Sequence, residues 1–148
     1  MKKIRVIPLI LRTSLLMLVF AGALVAQKAP AQVLVIANPT VGVAEVSKAE
    51  VRDVFTGASS SFKGTAQLTP VLLKQGLVNE EFLDLYVGKS DSAFRASWLS
   101  ILFSGQGVLP RTLDSDAAVV EYVARTPGAI GYIGRSSPHE GVKTLAVR

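Results

Sequence analysis

The sequence predicts an α/β fold, in which a mixed β-sheet is flanked by helices, on the basis of two observations. Val33–Ala37 is a continuous apolar run rich in β-branched residues, which is typical of a strand buried on both faces. Farther along the chain, short apolar runs alternate with segments whose apolar residues recur at helical spacing. Strands that alternate with helices in this way indicate a layered α/β domain.

The first helix is predicted from its end signals. Ser47 and Glu50 have the spacing of a capping box, in which the serine hydroxyl accepts from the third amide and the glutamate accepts from the serine N–H. Gly57 is a helix-ending residue. Between these signals, the apolar residues at helical spacing are Val51, Val54 and Phe55.

The middle of the chain predicts a second strand and a short helix. Residues 68–73 form an apolar run, in which Pro70 favours an edge strand or the start of a strand because proline has no N–H to donate. Asn79 is predicted to cap a short helix that begins at Glu80 and Glu81. Their carboxylates suit the positive end of a helix.

Two further helices are predicted from cap residues and apolar faces. One opens at Ser90 or Asp91, and another opens at Ser115 and Asp116. The residues predicted to share the apolar face of the first are Phe94, Trp98, Ile101 and Leu102, and those of the second are Val119, Val120 and Val123.

Residues 125–134, Arg-Thr-Pro-Gly-Ala-Ile-Gly-Tyr-Ile-Gly, predict a connection from that last helix to a strand. Pro127 ends the helix because it has no N–H and disfavours helical geometry in the preceding residue. Gly128 is expected to adopt the positive φ with which many helices end. Residues 130–133 then form a strand, and Lys143–Val147 forms the last one.

Residues 1–31 have the features of a secretory signal peptide. Basic residues near the start precede an almost unbroken apolar run over residues 15–26, and Ala29-Pro30-Ala31 has the small residues of a cleavage site. An uncleaved membrane anchor is the alternative, but this run is shorter than the roughly 20 residues of a spanning helix. The sequence therefore predicts cleavage near Gln32 and a periplasmic or secreted protein without a stable membrane anchor.

The net charge of +5 belongs to this amino-terminal segment. Residues 1–31 contain 5 of the 16 Lys and Arg residues and none of the 11 acidic residues, so residues 32–148 contain 11 of each. A net charge of zero argues against nucleic-acid binding, which depends on a basic surface. The chain has no cysteine, which excludes disulfides and a thiol nucleophile.

Several segments, in chain order, resemble the substrate-binding proteins of phosphate ABC transporters. Residues 126–133, Thr-Pro-Gly-Ala-Ile-Gly-Tyr-Ile, follow an acid-capped helix as they do in that family. The other matches are residues 49–57 with its "L..IF.G" helix, residues 67–74 with its "I.PV" strand, Phe82 on the following helix, and Trp98 with residues 103–105 in its "W....F.G" element. Together these matches cover nearly all of residues 33–135.

This resemblance implies a periplasmic-binding-protein-like fold, in which two α/β lobes close on an anion. The chain is long enough for one such lobe, so residues 32–148 are expected to form a single periplasmic-binding-protein-like domain. The implied function is an exported solute-binding-like module, neither an enzyme nor dependent on a cofactor, that binds a small anion such as phosphate weakly. The alternative is a cell-envelope structural or protein-interaction domain that has lost its ligand and contacts an envelope protein or a second copy.

The resemblance also locates the loop that would hold the anion. In the full transporters an Arg-x-Asp-Gly-Ser-Gly-Thr type loop grips phosphate through hydroxyls and helix amides. Here residues 76–78 are Gly-Leu-Val at the Ser-Gly-Thr positions, Lys74 lies where an acid is expected, and Leu72 lies where an arginine would be. The backbone amides near Asn79 remain as weak anion ligands.

Five residues are candidates for ligand contacts: Gly76, Asn79, Arg95, Arg111 and Ser115. The first two lie at the predicted helix start, and the two arginines are cations that would face a cleft. Ser115 would help to bind an anion at the start of its helix, although capping that helix is a sufficient explanation for a serine there.

Catalysis and metal binding have little support. His139 is the only histidine and lies in a polar turn with Ser137 and Glu140, but proximity in sequence is not the geometry of a catalytic triad. One histidine and no cysteine make a poor ligand set for a metal. Residues 57–65 lack the Gly-Lys-Ser/Thr order of a phosphate-binding P-loop and are predicted to form a surface loop held by Phe62.

Overall fold

A six-stranded mixed sheet with helices on both faces forms the protein in a computed structural model that describes residues 32–148. The predicted signal peptide, residues 1–31, lies outside these described residues. The strands are β1 Val33–Ala37, β2 Glu45–Val46, β3 Thr69–Leu73, β4 Arg111–Leu113, β5 Ala129–Gly134 and β6 Lys143–Val147. The helices are α1 Lys48–Thr56, α2 Leu77–Phe82, α3 Asp91–Phe103 and α4 Asp116–Arg125, and a π-helical segment, Leu83–Val87, continues α2.

The order of the strands across the sheet is β2-β6-β1-β5-β3-β4. Strand β1 runs antiparallel to both of its neighbours, β5 and β6. Strand β3 runs parallel to β5 on one side and to β4 on the other. The last residues of β3, β4 and β5 therefore lie at one edge of the sheet, which is the edge that positions the candidate site.

The predicted strands are confirmed, and two short ones were missed. Strand β1 has the predicted bounds, and Pro70 is the second residue of β3, which makes it the start of a strand and not an edge strand. Strands β2 and β4, of two and three residues, were not predicted because they are too short to show an apolar alternation.

Helix α1 begins and ends as its sequence predicts. The Ser47 hydroxyl accepts from the Glu50 amide at 3.1 Å, and the Glu50 carboxylate accepts from the Ser47 amide at 2.8 Å. Gly57 ends the helix with φ of 80°. A side chain at Gly57 would also meet the Trp98 ring at 2.9 Å, so the glycine allows α3 to approach the end of α1.

The predicted start of α2 is wrong. The helix begins at Leu77 with Gly76 as its cap residue, so Asn79 lies inside the first turn and does not cap it. Asn79 is only 1% exposed, and its side chain bonds to other side chains inside the protein. Sequence position alone favoured the cap because asparagine caps helices well, whereas burial of its amide requires partners from distant elements.

The caps of α3 and α4 are confirmed. The Ser90 hydroxyl accepts from Ala93, and the Ser115 hydroxyl accepts from Ala118. The inward faces are narrower than expected, because Leu102 is 38% exposed and Val120 is only partly buried. The fully buried members of those faces are Phe94, Trp98, Val119 and Val123.

Strand β5, which follows the turn at Gly128, packs against helices on both faces of the sheet. Gly128 has φ of 75°, as predicted, and every residue of β5 is buried. Gly131 faces α4 so closely that a Cβ there would lie 2.8 Å from the Val119 side chain. On the opposite face, the Tyr132 ring stacks on Phe82 with centroids 3.7 Å apart, and Phe55 packs edge-on against both.

Candidate functional site

The carboxyl ends of the parallel strands form the first candidate site. We define the carboxyl edge as the loops that follow β3, β4 and β5, residues 74–76, 114–115 and 135–137. In open α/β sheets, ligands bind in the crevice outside the carboxyl ends of strands. Helices α2 and α4 begin at this edge, with Gly76 and Ser115 as their cap residues.

A partly buried carboxylate, that of Asp91, is bound by three side chains beside this edge. Asp91 Oδ1 accepts from Asn79 Nδ2 at 2.7 Å and lies 3.0 Å from Arg95 Nε. Asp91 Oδ2 lies 2.9 Å from the same Arg95 nitrogen and accepts from Gln75 Nε2 at 3.2 Å. We call these four residues, together with Tyr132, the Asp91 cluster.

The Asp91 cluster also satisfies the backbone at the end of β3. The Tyr132 hydroxyl donates to Asn79 Oδ1 at 2.6 Å and accepts from the Leu73 amide at 3.1 Å. Arg95 Nη2 donates to the Leu73 carbonyl at 3.1 Å. The bonds therefore close into a ring that joins β3, α2, α3 and β5.

Electrostatics keep Asp91 ionised. Burial, with only 14% of the Asp91 side chain exposed, raises its pKa, but the hydrogen bonds from Arg95, Asn79 and Gln75 and the Arg95 charge outweigh it and lower the pKa. Burial raises the pKa of Tyr132 far above its ordinary value, so its hydroxyl stays a neutral donor. The arrangement is thus a carboxylate held by one cation and two amides.

Two further carboxylates, those of Asp114 and Asp116, lie in the carboxyl edge or directly beside it, and the edge also contains the cations Lys74 and Arg135. Asp116 Oδ2 accepts from the Gly134 amide at 2.8 Å and from the Ser137 hydroxyl at 2.5 Å. Asp114 pairs with Lys74 at 2.5 Å. These two carboxylates lie at the start of α4, where an external anion would have to approach.

The candidate residues of the sequence analysis do not all meet. Gly76, Asn79, Arg95 and Ser115 lie at or beside the carboxyl edge. Arg111 is the first residue of β4, so it lies at the opposite, amino-terminal end of the parallel strands. Its guanidinium lies 5.3 Å from the centroid of the Tyr122 ring. Their role in ligand binding stays a prediction.

The polar turn after β5 does not have the geometry of a triad. The Ser137 hydroxyl donates to Asp116, and His139 Nδ1 lies 2.8 Å from the Ser137 carbonyl oxygen. The imidazole is therefore placed against the serine backbone and not its hydroxyl. Within residues 32–148, no group of three or more His, Asp or Glu side chains is arranged to hold a metal ion.

A second candidate site is an exposed apolar surface that sequence reasoning missed. We define the apolar surface as the side chains of Leu99, Leu102, Phe103, Val108 and Leu109. Among the described residues, Leu77 is the one other large apolar side chain with comparable exposure. The signal in the sequence was the absence of any charged residue from position 96 to position 110.

Two grooves border the apolar surface. One, of about 720 Å³, runs between the loop after α1 and residues 106–111, and Val108 and Leu109 contribute to its wall. The other, of about 230 Å³, is lined by Leu72, Trp98 and Leu99, with Arg95 at its side. Both grooves are open to solvent. The larger groove has a mixed polar and apolar lining, whereas the smaller is mainly apolar and suits an apolar side chain of a partner better than a phosphate ion.

The described part of the chain, residues 32–148, contains no helix that is both long and apolar enough to cross a membrane.

Three solved structures share the fold. A protein named as a phosphate ABC transporter substrate-binding protein from Clostridium perfringens, solved with bound phosphate, has a TM-score of 0.61 and 18% identity, over 78% of this chain and 44% of its own. An ABC-type phosphate transport receptor from Vibrio cholerae has a TM-score of 0.52 and 12% identity, over 78% and 46%. PstS from Borrelia burgdorferi has a TM-score of 0.51 and 17% identity, over 79% and 47%.

These similarities are structural. No family model matches the sequence, and no curated protein is significantly similar to it. Identities of 12–18% establish a shared fold and nothing about the ligand. This chain spans less than half the length of each of the three structures. Residues 32–148 thus have the α/β fold of phosphate ABC transporter substrate-binding proteins, at the length of a single lobe.

Proposed function

We propose that this chain is an exported, non-enzymatic interaction module built on one lobe of the phosphate-binding-protein fold, and that its partner is a second copy of itself. The observation that carries the proposal is the apolar surface, in which Phe103 is 83% exposed. Contiguous exposed apolar patches mark interaction sites, whereas single exposed apolar residues are ordinary. Export to the periplasm or the outside of the cell rests on the sequence of residues 1–31.

Charge favours a second copy as the occupant of this surface. Residues 32–148 carry 11 basic and 11 acidic residues, so two copies do not repel each other at long range. A two-fold contact places a patch against itself. Because residues 96–110 include no charge, such a contact brings no like charges together.

We propose Phe103 as the anchor of the contact, because aromatic side chains dominate the binding energy of interfaces and insert into neighbouring grooves.

Phosphate binding at the carboxyl edge is expected to be weak. Leu77, 84% exposed, lies where the resemblance expects part of a hydroxyl-bearing loop. Arg95 is already bonded to Asp91, and the carboxylates of Asp114 and Asp116 flank the start of α4. A phosphate ion would have to displace the Asp91 carboxylate from Arg95 or approach the carboxylates of Asp114 and Asp116.

A second candidate function is the binding of phosphate or a similar anion. One finding favours it: the Clostridium perfringens protein, which has this fold, was solved with phosphate bound. We rank it below self-association because the described residues at the carboxyl edge offer few donors that are not already bonded.

Sedimentation equilibrium of residues 32–148 tests the self-association. We expect a monomer–dimer equilibrium, and we expect Phe103→Gln to weaken the dimer by about tenfold or more, which corresponds to about 1.4 kcal/mol. Leu77→Gln is the matched control, because Leu77 is as exposed as Phe103 (84% against 83%) but lies outside the apolar surface.

The control variant should dimerise as the wild type does. A protein that stays monomeric at the highest measurable concentration would contradict the proposal, and so would an equal effect of the two substitutions. Binding of another envelope protein, lost in Phe103→Gln while the protein alone is monomeric, would identify a different occupant and also overturn it.

A further inference from the structure

Asp91 is bound in the way in which proteins bind an external oxyanion. Its two oxygens accept from a guanidinium and two primary amides that belong to three different parts of the chain: Arg95 in α3, Asn79 in α2 and Gln75 in the loop before α2. Charged and amide donors that converge on one carboxylate are typical of carboxylate and phosphate recognition. Asp91, however, comes from the first turn of α3 of the same chain.

Two of the three donors, Asn79 and Arg95, also have partners other than Asp91. Asn79 is 1% exposed, and its side-chain oxygen accepts from the Tyr132 hydroxyl. Arg95 Nη2 is bonded to the Leu73 carbonyl. Removal of the carboxylate would therefore leave a partly buried cation and a buried amide without their acceptor, which costs stability.

We propose that Asp91 is an intramolecular ligand that occupies a small-oxyanion site made by Arg95, Asn79 and Gln75. In the wild-type protein this site is closed to free anions because the tethered carboxylate competes at a high effective concentration. The inference rests on the proposed function in one respect, because it offers a reason for the weak phosphate binding that we expect at the carboxyl edge.

Solvent reaches the site at Gln75, which is exposed. A cavity also borders Asp91, although none of the three donors lines it. It has a volume of about 460 Å³ and is bordered by Asp91 together with Leu83, Gly88 and Ser90. The charged groups that face it are Glu80 from α2, Asp84 from the π-helical segment, and Lys89 before α3. This mixed rim favours small monovalent oxyanions such as formate over the more highly charged phosphate.

The test is chemical rescue of Asp91→Ala, measured by the thermal midpoint in sodium formate against sodium chloride at equal ionic strength. We expect formate to raise the midpoint of Asp91→Ala by about 3 °C or more once it exceeds its dissociation constant tenfold. Wild type should show no rise beyond that in chloride. Asp53→Ala is the matched control, because Asp53 is a surface aspartate paired with the adjacent Arg52.

A second variant separates an emptied site from general destabilisation. Asp91→Asn keeps the volume of the side chain, so the site stays filled and formate should not rescue it. Equal responses of Asp91→Ala, Asp91→Asn and Asp53→Ala would overturn the inference.

If Asp91→Ala does not fold, the wild-type protein still decides the question. In an NMR pH titration, the Asp91 carboxyl should titrate below its ordinary pKa of 3.8, and Arg95→Gln should move that midpoint upward. An Asp91 carboxyl that titrates at or above pH 3.8 would refute the inference. All these measurements are made at concentrations at which the protein is monomeric, so they succeed or fail independently of self-association.

Discussion

At the scale of single residues, backbone geometry explains why glycine occupies the turn into β5. Gly128 has φ of 75°, and a Cβ at this position would lie 3.2 Å from the carbonyl oxygen of Gln67. A side chain would therefore be strained by its φ and crowded by a neighbouring backbone atom. The Gln67 carbonyl belongs to the segment that leads into β3. The turn at Gly128, which leads into β5, therefore packs against the start of the neighbouring parallel strand.

We predict that Gly128→Ala lowers the free energy of unfolding by about 1 kcal/mol or more through this strain. Chemical denaturation with a two-state fit measures the loss. Gly42→Ala is the control, because a Cβ there meets nothing within 4 Å and its φ is not in the left-handed region. An unchanged denaturation midpoint for Gly128→Ala would show that the turn tolerates a side chain.

At the scale of secondary structure, local capping and distant contacts contributed differently to each helix. Helix α1 is defined by the reciprocal bonds of Ser47 and Glu50, which are close in sequence. Helix α2 has no side-chain cap bond at Gly76. Its position depends instead on Asn79, which bonds to Asp91 and Tyr132 from other elements. The ends of a helix such as α1, which is capped by residues close in sequence, can be located from the sequence. The start of a helix such as α2, which is held by contacts with distant elements, cannot.

We predict that Ser47→Ala destabilises the protein by about 1 kcal/mol at about pH 7, because the Glu50 amide loses its acceptor. The pKa of Glu50 lies below its ordinary 4.5, first because of the bond from the Ser47 backbone and then that from the Lys63 backbone. A lowered pKa stabilises the fold above the unfolded-state pKa, and this contribution is lost as pH falls through the folded-state pKa. Ser47→Ala keeps the backbone N–H but removes the bond from the Ser47 hydroxyl to the Glu50 carboxylate, which also lowers the pKa. The penalty of Ser47→Ala should therefore shrink in acid.

Urea denaturation at about pH 7 and about pH 3 measures this difference. Ser100→Ala, on the exposed face of α3, serves as the control and should change stability by less than about 0.5 kcal/mol at either pH. A penalty for Ser47→Ala that is the same at both pH values would contradict the role assigned to the Glu50 carboxylate.

At the scale of the whole molecule, one lobe of a known fold offers two surfaces of opposite character. The carboxyl edge is polar, and its charged groups are mostly paired within the protein, as Arg95 is with Asp91 and Lys74 is with Asp114. The apolar surface lies at the other end of α3 and in the segment before β4. A module with its polar groups satisfied and its apolar groups exposed is suited to protein contacts more than to anion capture.

We predict that isothermal titration of residues 32–148 with phosphate gives a dissociation constant in the millimolar range or no measurable binding. The fixed internal pairs leave backbone amides as the main donors, and these contribute only about 0.3–1 kcal/mol where exposed. Micromolar binding that survives Leu77→Ser but is lost in Arg95→Gln or Arg111→Gln would contradict this prediction. It would show that an arginine elsewhere in the lobe holds the anion.

The sequence by itself determined the fold class, the bounds of β1 and the helix ends at Ser47, Gly57 and Ser115, because these depend on local backbone chemistry and on patterns within a few residues. The resemblance to phosphate-binding proteins, read from short segments of the sequence, likewise agrees with the fold that the solved structures share. Tertiary structure alone decided the Asp91 cluster, whose bonded members are separated by up to 53 residues where Tyr132 meets Asn79. It also decided that Asn79 is buried and that Leu102 is exposed, because burial depends on which elements pack together and not on the residue type.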